Sequence, residues 1–501
     1  MSFGLPGFTM VGLPDASVRE SRDRVRSAIR NSGFEFPAHR ITVNLAPADV
    51  RKAGASFDLP IAMGILAAQG ILERRHVSDL ILIGELSLDG TIHPTRGVLP
   101  IAVAARRDGI AGILLPPGNA GEAAVVAGLQ VLPVASLAEA VLALNEPLRT
   151  VATVAPPAPV RAADPPDLAD VRGQQFARRA LEIAAAGGHN LLLVGPPGSG
   201  KTMLARRMPG ILPPLTFEEA LEATAVHSVA GLLPSGSGLL LDRPFRAPHH
   251  TISDAALVGG GSQPRPGEVS LAHHGVLFLD EMLEFNRHVL EALRQPLEEG
   301  RVAVARAART AIFPARFMLV GAMNPCPCGF AGDPVRECRC TPQQIARYRG
   351  RLSGPLRDRL DLTVDVPALP VSALAPSEAP AAGRAAAGST RRARQPRLVA
   401  QAPEPSAPVR ARVVAARERQ LARYLGAGIR TNAELPPSLL GRHAALDRTA
   451  VRLLDAAAAK MLLSARAYDR VRKVARTIAD LAGVEAIAAD HVAEALQFRM
   501  Q

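Results

Sequence analysis

Residues 195–202 read Gly195-Pro196-Pro197-Gly198-Ser199-Gly200-Lys201-Thr202, a glycine-rich run closing in Lys-Thr that suits nucleotide phosphates. Its glycines let backbone N–H groups turn inward around the β- and γ-phosphates, and a helix N-terminus behind them adds partial positive charge. Lys201 would neutralise phosphate oxygens, and Thr202 would offer its hydroxyl to Mg²⁺. Such a loop needs a strand leading in and a helix leading out. Leu191-Leu192-Leu193-Val194 supplies a short buried strand, and the periodic stretch from Met203 supplies the helix.

Val276-Leu277-Phe278-Leu279-Asp280-Glu281 reads as a second buried strand, ending in two carboxylates. Asp280 is suited to holding Mg²⁺ and Glu281 to orienting and activating an attacking water. Adjacent acids at a strand end are common in solvated turns; paired with the phosphate loop, they imply ATP hydrolysis.

A chain of 501 residues exceeds one domain, and at 48% apolar it can fill several cores. No window approaches the run of about 20 apolar residues needed to span a bilayer. The opening Met1-Ser2-Phe3-Gly4-Leu5-Pro6-Gly7 lacks the basic and apolar regions of a signal peptide. All four cysteines fall between 326 and 340, which is no disulfide framework for a protein of this size. A cytoplasmic setting with no membrane partner is expected.

Charge is unevenly placed within the net +12. Residues 1–150 carry 14 basic and 14 acidic side chains, residues 151–300 carry 12 and 16, and residues 301–501 carry 32 and 16. Only four of the 58 basic residues are Lys. An Arg-rich composition explains Arg over Lys but not the missing acids after 301. That asymmetry is the footprint of a polyanion, and nucleic acid is the expected partner.

Two Pro-rich breaks organise the chain. Ala155-Pro156-Pro157-Ala158-Pro159 with Asp164-Pro165-Pro166 marks a linker, and an Ala/Pro/Arg-rich stretch near 368–408 marks a tether or insertion. They divide an N-terminal domain (1–150), a linker (151–167), an ATPase core (168–367), a low-complexity segment (368–408) and a C-terminal domain (409–501). In the last, Val451, Leu454, Ala458 and Leu462 recur at helical spacing, which predicts a helical bundle.

Cys326-x-Cys328 and Cys338-x-Cys340 would supply four thiolates to one Zn²⁺, although the single-residue spacing is tighter than usual and free thiols are the other reading. The pairs His249-His250 and His273-His274 are expected to point their rings apart and to lack a carboxylate partner, so no metal is assigned to them.

Several segments together resemble the ComM/YifB family of magnesium-chelatase-like AAA+ ATPases: Phe245 to Ser253, the Glu281 strand end, Asn324-Pro325-Cys326-Pro327-Cys328-Gly329, Arg357-Asp358-Arg359-Leu360-Asp361 and Ala475 to Leu481. The match spans nearly the whole chain. It implies an α/β fold, with a doubly wound parallel P-loop core, a helical C-terminal lid, and an N-terminal α+β domain similar to the Lon protease domain. It also implies a hexameric motor that drives branch migration of DNA, single-stranded or branched, in natural transformation. Family members usually have further residues before the equivalent of Gly4, so the first domain looks shortened at its start.

By that resemblance Asn324, ending the strand Phe317 to Ala322 beside the phosphate-loop strand, is similar to sensor 1, which bonds the γ-phosphate or the attacking water. Arg359 resembles the arginine finger that reaches a neighbouring subunit's nucleotide, with Arg357 as the other candidate. Arg466 resembles sensor 2, with Arg470 one turn later as its rival. Arg301 to Phe317 alternates as a hairpin carrying Arg306 and Arg309, and comparable motors place such hairpins in a central pore. Phe245 to Ser253 resembles an insertion that also points into the pore. Subunit contacts are the alternative use for both. With 3% aromatics and no Trp, phosphate tracking by Arg is expected over base stacking.

Gly54-Ala55-Ser56-Phe57-Asp58 resembles the surroundings of the Lon catalytic serine, which needs a lysine base. The pattern puts Leu99 at the lysine position, and Lys52 lies outside it. The domain is therefore expected to be a scaffold. A protein-remodelling AAA+ chaperone, or a chelatase-like subunit driving a partner, is the alternative to a DNA motor; neither needs the basic C-terminal half.

Overall fold

A computed structural model describes residues 1–145, 166–368 and 403–499, apart from positions 4, 49, 51, 53, 73–78, 235, 262–263, 307–308 and 334–335. Most of the two expected linkers, 151–167 and 368–408, lies outside the described residues. The chain divides into two compact units, Met1–Arg161 with Thr216–Leu241, and Ala162–Leu215 with Asp242–Gln501.

The second unit is built on a five-stranded parallel sheet. Its order is Leu362–Asp365, Leu191–Val194, Met318–Met323, Val276–Leu279 and Phe245–Arg246. The three apolar runs expected as strands form its centre, the third one residue later than the sequence suggests. Each alternates between faces. Leu191, Leu193, Phe278, Val320 and Ala322 join one core, and Leu192, Val194, Leu277, Leu279 and Leu319 join the other. Burial on both faces is what makes such strands continuously apolar. Each fully buried Leu or Val contributes on the order of 1.5–3 kcal/mol.

The C-terminal helices Ser406–Arg423, Pro437–His443, Arg448–Met461, Ala465–Ala482 and Ala489–Gln497 form the expected all-helical region, beginning at Ser406 rather than Val409. Val409, Val413, Leu454, Val471, Val474 and Ile478 enter the first of these cores, together with Leu181 and Ile183 of the helix Gln175–Gly187. The lid is therefore continuous with the sheet's own packing.

The first unit holds a parallel three-stranded sheet, Leu80–Leu82, Gly112–Leu115 and Gln130–Pro133, and a parallel pair, Gly7–Val11 with Arg40–Asn44. The helix Phe217–Ala230, opened by a Thr216/Glu219 capping box, belongs here although its sequence interrupts the ATPase core. Ser228 Oγ donates to Glu122 Oε2 at 2.8 Å, and Asn119 Nδ2 donates to Glu122 Oε1 at 2.6 Å. Reading 168–367 as one stretch did not anticipate this excursion. Among the described residues, no helix is long and apolar enough to cross a membrane.

Candidate active site

The phosphate loop leaves the strand Leu191–Val194 and enters the helix Lys201–Ala205, with Gly198 and Gly200 at φ +78° and +95°. L side chains rarely adopt that conformation, so the glycines let the loop fold back on itself. Lys201 Nζ donates to the carbonyls of Gly195 and Pro196 at 2.7 and 2.9 Å and to Asn324 Oδ1 at 3.3 Å. Burial pushes the Lys201 ammonium below its usual pKa, and the charges of Asp280 and Glu281 oppose that shift. Thr202 Oγ1 donates to Asp280 Oδ2 at 2.6 Å, so the two groups proposed for Mg²⁺ already face each other. Thr202, Asp280, Lys201 and Asn324 thus converge as the sequence suggests.

Glu281 adopts a left-handed backbone, φ +49°, and its side chain is 58% exposed. A non-glycine residue held there costs on the order of 1–3 kcal/mol, and such strain clusters at functional sites. Glu281 Oε2 lies 3.9 Å from His250 Nδ1. The His250 ring is 4.1 Å, centroid to centroid, from that of His249, and the His273 and His274 rings are 3.8 Å apart. The expectation of diverging rings without a carboxylate is therefore corrected. Ring divergence holds only for extended backbone, whereas His249–Thr251 turns and His274 has φ +57°. Phe245–Arg246, the first two residues of the segment read as resembling an insertion, form the edge strand of the core sheet, and the chain that follows brings His250 to Glu281.

Gln174 was invisible in the sequence. At φ +52° it caps the helix Gln175–Gly187 and donates Nε2 to Ser199 O at 3.3 Å and Pro367 O at 2.7 Å, tying the phosphate loop to the last strand.

The four cysteines gather directly after Asn324. Cys326 Sγ lies 3.3 Å from Cys328 Sγ and 3.7 Å from Cys338 Sγ, Cys328 Sγ lies 3.6 Å from Cys338 Sγ, and all four sulfurs fall within 4.8 Å of one another. Tetrahedral Zn²⁺ with Zn–S about 2.3 Å requires sulfurs about 3.8 Å apart, so the donor set fits. Backbone N–H groups of Phe330 and Arg339 pull the Cys328 thiol down to about 6, whereas burial and the neighbouring sulfurs push Cys338 up to about 12 and Cys340 upward, so without a cation the crowded sulfurs oppose one another's ionisation.

Arg359 stands at the other end of the sheet. The Asn190 side chain donates to Arg359 O at 2.8 Å, and Asn190 N donates to Asp361 Oδ2 at 3.1 Å. Asn190 precedes the strand whose far end carries Gly195, roughly 16 Å away at about 3.3 Å per residue. The Arg359 guanidinium, 12% exposed, pairs with Glu298 and donates to Pro355 O at 2.5 Å. Burial, then the charges of Arg294, Arg466 and Arg470, lower its pKa. Arg470 donates to Leu360 O and Asp358 Oδ1, both at 3.2 Å, and Arg466 and Arg357 are exposed. Arg359, Arg466 and Arg470 are thus grouped together and apart from the phosphate loop of their own chain.

The Ala475 to Leu481 segment anchors this end to the lid. Thr477 Oγ1 meets His189 Nε2 at 2.8 Å, and Asn432 Nδ2 donates to Thr477 Oγ1 and Asp480 Oδ2 at 3.0 and 2.8 Å. His189 Nδ1 lies 3.5 Å from Asp361 Oδ2. Burial opposes ionisation of Asp361, but His189 and the Asn190 N–H outweigh it and hold the carboxyl below its usual range.

The predicted hairpin forms from Arg301–Arg306 and Arg309–Pro314, with Arg306 opposite Arg309. Its turn, Ala307-Ala308, lies outside the described residues, as do the side chains of Arg306 and Arg309. Val302 and Val304 face inward, while Arg301, Ala303, Thr310 and Ile312 are exposed. In the first unit, Leu99 is fully buried, and Lys52 is buried and donates to Pro47 O. Asp58 is paired with Arg24 at 2.7 Å.

The magnesium chelatase, subunit ChlI family matches residues 167–374, with its further ChlI and ChlI C-terminal segments matching 1–119 and 403–499. The chain is 45% identical over 504 residues to competence protein ComM of Haemophilus influenzae, covering 100% of this chain and 93% of that one. It is 44% identical over 500 residues to the uncharacterized protein YifB of Escherichia coli, covering 100% and 92%. The magnesium-chelatase 38 kDa subunit of Rhodobacter capsulatus is 28% identical over 172 residues, 30% of this chain and 48% of that one.

Proposed function

This chain belongs to the ComM/YifB family of magnesium-chelatase-like proteins, and on that premise we propose that it is an ATP- and Mg²⁺-dependent motor, working as a hexameric ring on single-stranded or branched DNA in recombination or natural transformation. The observation that carries the reading is the separation of Arg359 from Lys201. One end of the strand Leu191–Val194 leads into the phosphate loop, and the other is bonded to the finger loop. A chain so built presents half of a site at each edge, and closing copies head to tail completes every site. Within each site Lys201 neutralises phosphate charge, Thr202 and Asp280 hold Mg²⁺, Glu281 orients water with His250 beside it, and Asn324 senses the γ-phosphate. Arg359 from the adjacent subunit meets the charge that develops during transfer.

The excess of basic residues after 301 supports DNA as the polyanion. The spacing of the four sulfurs supports Zn²⁺ bound by Cys326, Cys328, Cys338 and Cys340. ATP hydrolysis measured alone and with single-stranded, duplex and branched DNA tests the reading. Stimulation by branched or single-stranded DNA is expected. ATPase activity indifferent to all three would favour a partner-driving or protein-remodelling ATPase, in the manner that the resemblance to the magnesium-chelatase subunit suggests.

A further inference from the structure

Cys326 follows Asn324 by two positions, and Cys340 lies just before the helix Pro342–Arg349. That helix returns to the same asparagine. The backbone of Asn324 reaches the Tyr348 hydroxyl, whose phenol burial pushes up to about 12, and Arg349 Nε donates to Pro325 O at 3.2 Å. Segment 324–349 is therefore a closed loop pinned at Asn324, with its middle drawn together by four thiols. Among the described residues, no helix or strand lies between Met323 and Pro342.

The residue next to Cys328 also packs against the phosphate loop. Gly329 has φ +87°, and a Cβ built on it would stand 2.5 Å from Pro197 Cδ and 2.9 Å from Pro197 Cγ. Asn324 in turn accepts from Lys201 Nζ. The cysteine knuckle thus bears on the site from two sides, by chain connectivity to Asn324 and by van der Waals contact with Pro197.

We propose that the metal held by Cys326, Cys328, Cys338 and Cys340 controls ATP turnover, fixing Asn324 against Lys201 and backing the phosphate loop at Pro197, so that the motor hydrolyses ATP efficiently only when loaded. This rests on the zinc occupancy proposed above. The physical reason is that metal–thiolate bonds fix a segment that few other interactions order. A displaced sensor then costs far more in turnover than in binding, because the transition state tolerates little misplacement.

The test uses full-length protein purified without chelator, its zinc measured by mass spectrometry, then stripped with a chelator and assayed in excess Mg²⁺. Binding of a fluorescent ATP analogue, ATP hydrolysis and hydrogen exchange are compared before stripping, after stripping and after zinc is restored. About one Zn²⁺ per chain is expected, and kcat should fall roughly ten- to a hundredfold on stripping and recover on reloading. Nucleotide affinity should change little, and exchange should rise within 324–341 and the phosphate loop. Gly329→Ala keeps all four thiols and should retain zinc yet lower kcat, because its methyl group presses on Pro197. Zinc that is present but whose removal leaves kcat and exchange unchanged would overturn the control while leaving the metal site intact. Protein that purifies without zinc would remove both. Should stripping unfold the chain, Gly329→Ala decides the matter: a zinc-loaded variant with wild-type kcat, or one whose kcat falls only along with nucleotide affinity, refutes the coupling, and a reduced kcat with affinity retained upholds it.

Discussion

Asn190 holds the Arg359 loop by its side chain, Nδ2 donating to the Arg359 carbonyl at 2.8 Å, while its Oδ1 accepts from Leu319 N at 2.8 Å. Leu319 lies in the strand Met318–Met323, which leads into Asn324, and Asn190 immediately precedes the strand that leads into the phosphate loop. One amide therefore ties together the Arg359 loop, the strand leading to Asn324 and the strand leading to the phosphate loop, all at the end of the sheet away from that loop.

Complementation between subunits should follow this geometry. Arg359→Ala and Lys201→Ala proteins, each inactive alone, should regain part of their ATPase when mixed, since an intact half-site from each can meet at one interface. Asn190→Ala should destabilise the chain by about 1–3 kcal/mol through the loss of two partly buried hydrogen bonds. Mixed with Lys201→Ala it should rescue activity; mixed with Arg359→Ala it should not, because both lesions lie on the same edge. Rescue in that second mixture, or none in the first pair at ratios giving mixed rings, would place Arg359 in a structural role.

Lys201→Ala should weaken nucleotide binding. Glu281→Gln should leave binding intact and stop turnover, because only the water-activating group is lost. His250→Ala should resemble a milder Glu281→Gln, lowering turnover roughly tenfold with binding retained. Nucleotide titrations and single-turnover rates check all three, and normal hydrolysis by Glu281→Gln would mean that another group activates the water.

Peptidase activity should be absent. Leu99 is sealed in the core and Lys52 is engaged with the Pro47 carbonyl, so neither offers Ser56 a base. An active-site serine probe should fail to label Ser56, and Ser56→Ala should hydrolyse ATP normally. Labelling that disappears in Ser56→Ala would show a working nucleophile in the first unit.

Replacing both Arg306 and Arg309 by Ala should weaken DNA binding for all sequences alike. Each lost phosphate contact should flatten the slope of log K against log salt by roughly 0.7–0.9. Basal ATPase should survive while movement of a branched junction fails. Junction migration at the wild-type rate would exclude the hairpin from the DNA path.

The sequence alone was enough for the phosphate loop, the acidic strand end, the sensor strand, the hairpin and the helical lid. In each, the information is local: contiguous residues set the backbone path, and uninterrupted apolar runs mark strands buried on both faces. Even the cysteine pairs were legible as donors, although their meeting within 4.8 Å needed the loop from 324 to 349 to close. Tertiary structure decided what depends on where distant segments arrive. His250 faces Glu281 because an edge strand carries it there and the backbone turns, which reverses the rule of alternation the sequence invites. Gln174 stitches Ser199 to Pro367, which lies 193 residues beyond Gln174 itself, with no motif to announce it. Above all, the sequence could name Arg359 but not its side of the sheet. That was fixed by parallel pairing of Leu362–Asp365 with Leu191–Val194, which sends residues before one strand and after the other to opposite edges.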